Sequence, residues 1–331
     1  MLELNMNSIK SGLAFVASHL QVKGELPIEV LPGYQFRAAS DAEVAVIRQH
    51  LESSIPSDRF GWVQYDGIVK EQRQENGSSF HTEKLPRENW KYWVLAFEDY
   101  NLKILDIEML AQLLPVKFDI GFVLGYSEQS QQGTIISHQA MPIHVIDRYS
   151  LPTQIYANAE VLTSDQIASI GNAYQSLKNL LPEYKFIDRA LRNLYDLRRI
   201  PEYSDLIIVG LFSIVESLIT HHQRESETFK SIQHQITNKM ILLRKKYFRP
   251  IPTDQYFSEC NEETIWKKLY DFRSAVAHGS NAISFDNNKG DNKYQVLKSR
   301  DAVIAFVQNN VKELLQVALN EPTFMLDLRK C

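Results

Sequence analysis

Hydrophobic positions follow two regimes along this chain. From residue 1 to about 150 they come in short, aromatic-rich runs separated by turn signals. Ile28-Glu29-Val30-Leu31 and Tyr34-Gln35-Phe36-Arg37 read as strands around Pro32-Gly33. Phe60 to Tyr65, Trp90 to Phe97, Lys117 to Tyr126 and Thr134 to Val145 read as further strands. A helix is predicted from Ser40 to about Ser53, with Ser40 as its cap and Glu43 as the capping-box partner. A second, from Leu102 to Leu114, ends before Pro115. Gln72 to Arg87 is polar, carries Gly77-Ser78-Ser79 and reads as a loop.

A boundary falls at Tyr149 to Asn158, and beyond it the pattern becomes helical. Thr163 or Ser164 caps a helix through Leu181, and Tyr184 to Arg199 continues as another. Pro201-Glu202 opens a helix through His222 that is apolar on most sides except at Glu216, as suits the centre of a bundle. Thr228 to Phe248 is helical, Asn281 to Lys298 reads as a long polar loop, and Asp301 to Leu319 is the final helix. The fold class is therefore α+β: a mixed α/β domain over residues 1–155, then an all-α bundle over 156–331.

One more helix precedes Gly279. Ile265, Leu269, Phe272 and Val276 make one buried stripe, Asn261 caps its start, and Glu262 and Glu263 suit the positive end of its dipole. Arg273 and His278 stand near its C-terminus, roughly 140° apart on an ideal helix. They converge if the helix loosens at Gly279 or if two copies face each other. Ser274 is one turn before His278, where its hydroxyl can orient the imidazole.

Arg273-Ser274-x-x-x-His278-Gly279, preceded by Leu269-Tyr270-Asp271-Phe272, resembles the motif helix of HEPN domains, most closely the Apea-like group. Ile207 to Leu218, with its embedded Glu216, resembles that group's second long helix, and Phe186 to Leu191 its first. The resemblance covers roughly the C-terminal half. It implies a metal-independent endoribonuclease with a composite Arg273/His278 site across a homodimer, leaving cyclic-phosphate ends. It further implies a toxin or anti-phage defence effector, whose N-terminal domain senses a trigger or recruits a regulatory protein. The alternative is a non-catalytic HEPN module that binds nucleotides or scaffolds a complex. A third reading, an antitoxin partner modified within Arg-x4-His-x-Tyr, is disfavoured because Ser280 stands at the tyrosine position.

The residue chemistry fits that implication. An imidazole titrates near neutral pH and exchanges protons with a ribose hydroxyl, while a guanidinium matches phosphate oxygens. Without the resemblance, Arg273 equally suits a salt bridge and His278 a helix C-terminus. A carboxylate inside an apolar helix needs a partner, so Glu216 is expected to pair with Arg273 or to cap a neighbouring helix, as an anchor or as support for the site.

Composition narrows the partners. The 331 residues carry a net charge of −4, so any RNA must be held by a local patch. Lys239, Arg244, Lys245 and Lys246 lie in a segment without acidic residues, which is either an RNA-binding stripe or a solvated face. Trp62, Tyr65, Trp90, Tyr92 and Trp93 read as a sheet face before a base-stacking surface. Adjacent His221 and His222 diverge on a helix and suit a metal poorly. Residues 1 to about 150 show no phosphate loop, nucleophile elbow or metal-ligand spacing, and no metal or cofactor is expected. Cys260 and Cys331 form no framework, the N-terminus shows no signal pattern, and the longest apolar run, Leu206 to Val215, is too short to cross a bilayer. A cytoplasmic protein without membrane partners is expected.

Overall fold

The computed structural model describes residues 9–54, 65–74, 77–98, 103–127, 130–137, 160–201, 203–221, 231–249, 251–279 and 296–331. The chain divides into two compact units, Met1–Tyr174 and Gln175–Cys331.

The first unit is built on strands β1 (Ile9–Val16), β2 (Leu20–Lys23), β3 (Ile28–Leu31), β4 (Tyr34–Ala38), β5 (Gly67–Gln74), β6 (Gly77–Lys84), β7 (Trp93–Phe97), β8 (Ile120–Ser127), β9 (Ser130–Ser137) and β10 (Glu160–Thr163). Its helices are α1 (Asp41–Ser54), α2 (Lys103–Ala111) and α3 (Ser164–Lys178). Six strands form one antiparallel sheet in the order β3-β4-β7-β1-β8-β9. β1 runs through its middle, and Leu13 to Val16 are fully buried. Val44, Ile47 and Leu51 of α1 pack on Leu13, Phe15, Val94, Phe122 and Leu124 of the sheet.

The predicted capping box is formed. Ser40 N–H donates to Glu43 Oε2 at 2.7 Å, and Glu43 N–H donates to Ser40 Oγ at 3.4 Å. Thr163 and Gln166 make the same reciprocal pair ahead of α3, at 2.9 and 3.3 Å. Tyr65, Tyr92 and Trp93 are buried, so these aromatics serve the core. Trp62 lies outside the described residues.

Two expectations are corrected, those for the hairpin β5–β6 and for the start of β7. The polar stretch read as a loop is the β5–β6 hairpin, paired from Gly67↔Lys84 to Gln74↔Gly77. Polar side chains hid it, because cross-strand backbone bonding does not require an apolar face. The strand expected from Trp90 begins at Trp93. The division between units falls after Tyr174, later than the expected break at residue 155. The reason is β10, which pairs in parallel with β2 and carries the start of α3 into the first unit. The expected boundary segment, the expected strand at Phe60 to Gln64 and most of the expected loop at Asn281 to Lys298 lie outside the described residues.

The second unit is helical: α4 (Lys185–Leu197), α5 (Leu206–Ile219), α6 (Ile232–Lys246), α7 (Glu262–Ala277), α8 (Arg300–Asn320) and α9 (Pro322–Lys330). α5 touches α4, α6, α7, α8 and α9 and buries Ile208, Leu211, Phe212, Ile214, Val215, Leu218 and Ile219. It is the central helix its apolar pattern predicts. Trp266 of α7 meets Phe212 of α5 edge-on at 6.4 Å and Phe306 of α8 at 5.9 Å. Among the described residues no helix is long and apolar enough to cross a membrane.

Candidate functional site

Helix α7 forms as its sequence predicts. Asn261 Oδ1 accepts from Thr264 N–H at 2.8 Å, which satisfies one open donor of the first turn. Ile265, Trp266, Leu269 and Phe272 are buried, while Val276, expected on the same stripe, is half-buried. The helix ends at Ala277, and Gly279 follows in the left-handed region (φ 63°), donating to Val276 O at 3.2 Å.

This geometry sets Arg273 against α5. Its Nη2 lies 3.0 Å from Glu216 Oε1, off the hydrogen-bonding direction, and donates to Glu216 Oε2 at 3.3 Å. Of the two roles foreseen for Glu216, pairing with Arg273 is the one found. Both side chains are 20% exposed, so the pair sits at the rim of the core. Burial pushes the Glu216 carboxyl up, against the pull of Arg273. Arg273 Nε is buried without a hydrogen-bond partner among the described residues, so one donor is unspent. The Tyr270 ring lies beneath the guanidinium, 5.6 Å from ring centre to guanidinium carbon, and meets Phe212 edge-on at 6.0 Å. Burial, and then the Glu216 charge, push the Tyr270 hydroxyl up.

His278 stands apart from this pair. It is the C-cap of α7, is exposed, and donates its backbone N–H to Ser274 O at 3.0 Å. Among the described residues its imidazole has no hydrogen bond, whether to Arg273, Glu216 or the Ser274 hydroxyl. Ser274 thus contributes its carbonyl to the helix end in place of the expected hydroxyl contact.

The basic stripe of α6 is a correction. Lys239 is 9% exposed and donates from Nζ to Ile219 O at 2.8 Å, at the C-terminal end of α5. Arg244 is turned into the bundle. It reaches Glu262 at 3.2 Å, Asn310 Oδ1 at 2.8 Å and Ile251 O at 3.3 Å, and lies over Phe306 at 5.0 Å. Lys245 and Lys246 are exposed, and Lys246 lies over Tyr247 at 5.2 Å. A segment free of acidic residues is no guide here, because Glu262 is delivered by another helix.

Sequence reasoning stopped at Leu319 and missed α9. Its signal is present: Pro322 in the first turn, then buried Met325 and Leu328 at a spacing of three. With α5 and Ile232 of α6, α9 lines a half-open cavity of about 580 Å³ beside Glu216. Half-buried His221 also lines it, and His222 lies outside the described residues. No group of His, Cys, Asp and Glu able to hold a metal is found among the described residues. No family model matches the chain, and neither a curated protein nor a solved structure matches it.

Proposed function

We propose that the chain is a metal-independent endoribonuclease of HEPN type, with Arg273 and His278 from paired copies forming a composite site. The observation that supports it most is the anchoring of Arg273. A half-buried carboxylate on the central helix holds the guanidinium at 3.0 Å while its Nε remains unspent. The imidazole five residues later is exposed at the helix end.

In this reading the guanidinium binds the scissile phosphate and stabilises charge as the transition state forms. The 2′-oxygen attacks the adjacent phosphorus. A base takes its proton, the bond to the 5′-oxygen breaks, and an acid returns a proton to that oxygen. His278 serves as one of these two groups, and solvent water exchanges the other proton. The products carry a 2′,3′-cyclic phosphate and a 5′-hydroxyl. Glu216 and Ser274 act as positioning residues. The first unit acts as the sensing or recruiting part of a toxin or defence effector.

Incubation with single-stranded RNA, with and without a chelator, tests this reading. Wild type is expected to cut in both conditions. Arg273→Ala and His278→Ala are each expected to lose about a hundredfold to ten-thousandfold in rate with an unchanged melting profile. Intact RNA with wild type, or full activity in His278→Ala, sinks the proposal. A non-catalytic binding module is the second reading. It is favoured by the position of His278, exposed at the end of α7 and apart from the Arg273–Glu216 pair within a single chain.

A further inference from the structure

The cavity beside Glu216 has two unlike walls. One is a stripe along α5: Ser213, Glu216, Ser217 and Thr220 stand at helical spacings of three, four and seven from the first. Its hydroxyls spend their protons on the helix. Ser213 donates to Val209 O at 3.0 Å, Ser217 to Ile214 O at 2.8 Å and Thr220 to Glu216 O at 2.7 Å. Their oxygens are left as acceptors, so the wall suits a ligand rich in donors. The second wall carries Arg329 and Lys330 from the last turn of α9. Arg329 is half-buried, steadied over the Phe186 ring at 4.9 Å. Ile232 and Leu326 supply apolar surface between the walls.

A ligand matching both walls presents an anion at one end and several N–H or O–H donors at the other. It also has an apolar face between them and fills a space of about 580 Å³. A nucleotide of single-stranded RNA meets each condition. Its phosphate matches the two cations, its ribose hydroxyl and exocyclic amines match the acceptors, and its base lies against leucine, isoleucine and the guanidinium plane. A paired, stacked base cannot enter such a cavity, whereas an unstacked one can.

We propose that this cavity seats one unstacked nucleotide of a single-stranded RNA, with its phosphate gripped by Arg329 and Lys330 and its sugar and base edge against the Ser213–Thr220 stripe. This deepens the ribonuclease reading, on which the choice of RNA rests, and supplies an RNA grip that the α6 stripe does not.

The test is fluorescence polarisation of a labelled single-stranded RNA oligonucleotide on the full chain carrying His278→Ala, so that binding is read without cleavage. Adding Arg329→Ala with Lys330→Ala is expected to weaken binding about tenfold or more. It also flattens the dependence of log affinity on log salt by about 0.7 for each cation removed. Leu326→Trp fills the cavity while keeping both charges and is expected to weaken binding with the salt slope retained. Both variants are checked for an unchanged melting profile. Binding and slope that match the parent in both variants overturn the proposal, as does equal affinity for fully paired RNA. If wild type leaves RNA intact while binding still depends on Arg329 and Lys330, the nuclease reading falls and the nucleotide seat stands.

Discussion

Arg273 and Glu216 pair at 3.0 Å, yet burial still raises the carboxyl above its ordinary value of 4.5. The folded chain therefore holds this proton more tightly than the unfolded chain. The stabilisation tied to that proton is fully present below about pH 4.5 and is lost as pH rises through the raised folded value. Glu216→Gln lacks the titration. The stability of wild type relative to Glu216→Gln is thus expected to fall as pH rises from about 4.5 through the raised folded value, as followed by urea unfolding. A gap that stays constant or widens with pH contradicts this. At this same level the sequence both succeeded and failed. Glu216 was legible as a carboxylate in need of a partner, because nothing else on α5 shares its charge. Lys239 and Arg244 were misread, because burial and the approach of Glu262 and Asn310 are facts about other helices.

Helix α7 owes its start to a single side-chain bond. Asn261→Ala removes the acceptor for Thr264 N–H and is expected to cost about 1 kcal/mol in urea unfolding. Helix α3 presents the opposite case, in which local propensity and packing disagree. Alanine is favoured over glycine inside a helix by about 1 kcal/mol. A Cβ at Gly171, however, would stand 2.3 Å from Val30 O, a backbone atom of β3. Gly171→Ala is therefore expected to destabilise by about 1–3 kcal/mol, and measured stabilisation would refute the contact. The elements legible beforehand were those with caps and apolar periodicity, such as α1 and α7, and α5, whose apolar run showed it although it starts at Leu206 without a side-chain cap. The β5–β6 hairpin was not, because its strands are held by backbone pairing and carry polar side chains. β10 was missed because four residues pairing with β2, distant in sequence, leave no local pattern.

The proposed pairing of two copies would bridge the separation of Arg273 and His278 along one helix. If each site takes its arginine from one copy and its histidine from the other, the two inactive variants complement. Mixing Arg273→Ala with His278→Ala under exchange makes about half of all dimers mixed, each with one intact site of two. Cleavage is expected to recover to about a quarter of the wild-type rate, and its specific activity to fall on dilution below the dimer's dissociation constant. No recovery after verified subunit exchange counts against a composite site, as does a single-copy mass for an active enzyme in light scattering.

The amino-acid order by itself determined the strands around Pro32-Gly33, the helices α1 and α7, and that α5 is central. Those properties arise from periodicity, caps and propensity over neighbouring residues. Only the tertiary structure decided which polar groups come together: Arg273 with Glu216, Arg244 with Glu262, and the serines of α5 with Arg329 and Lys330 around one cavity. The physical reason is that burial and ion pairing depend on the distance between helices, a quantity that spacing along a single helix does not contain.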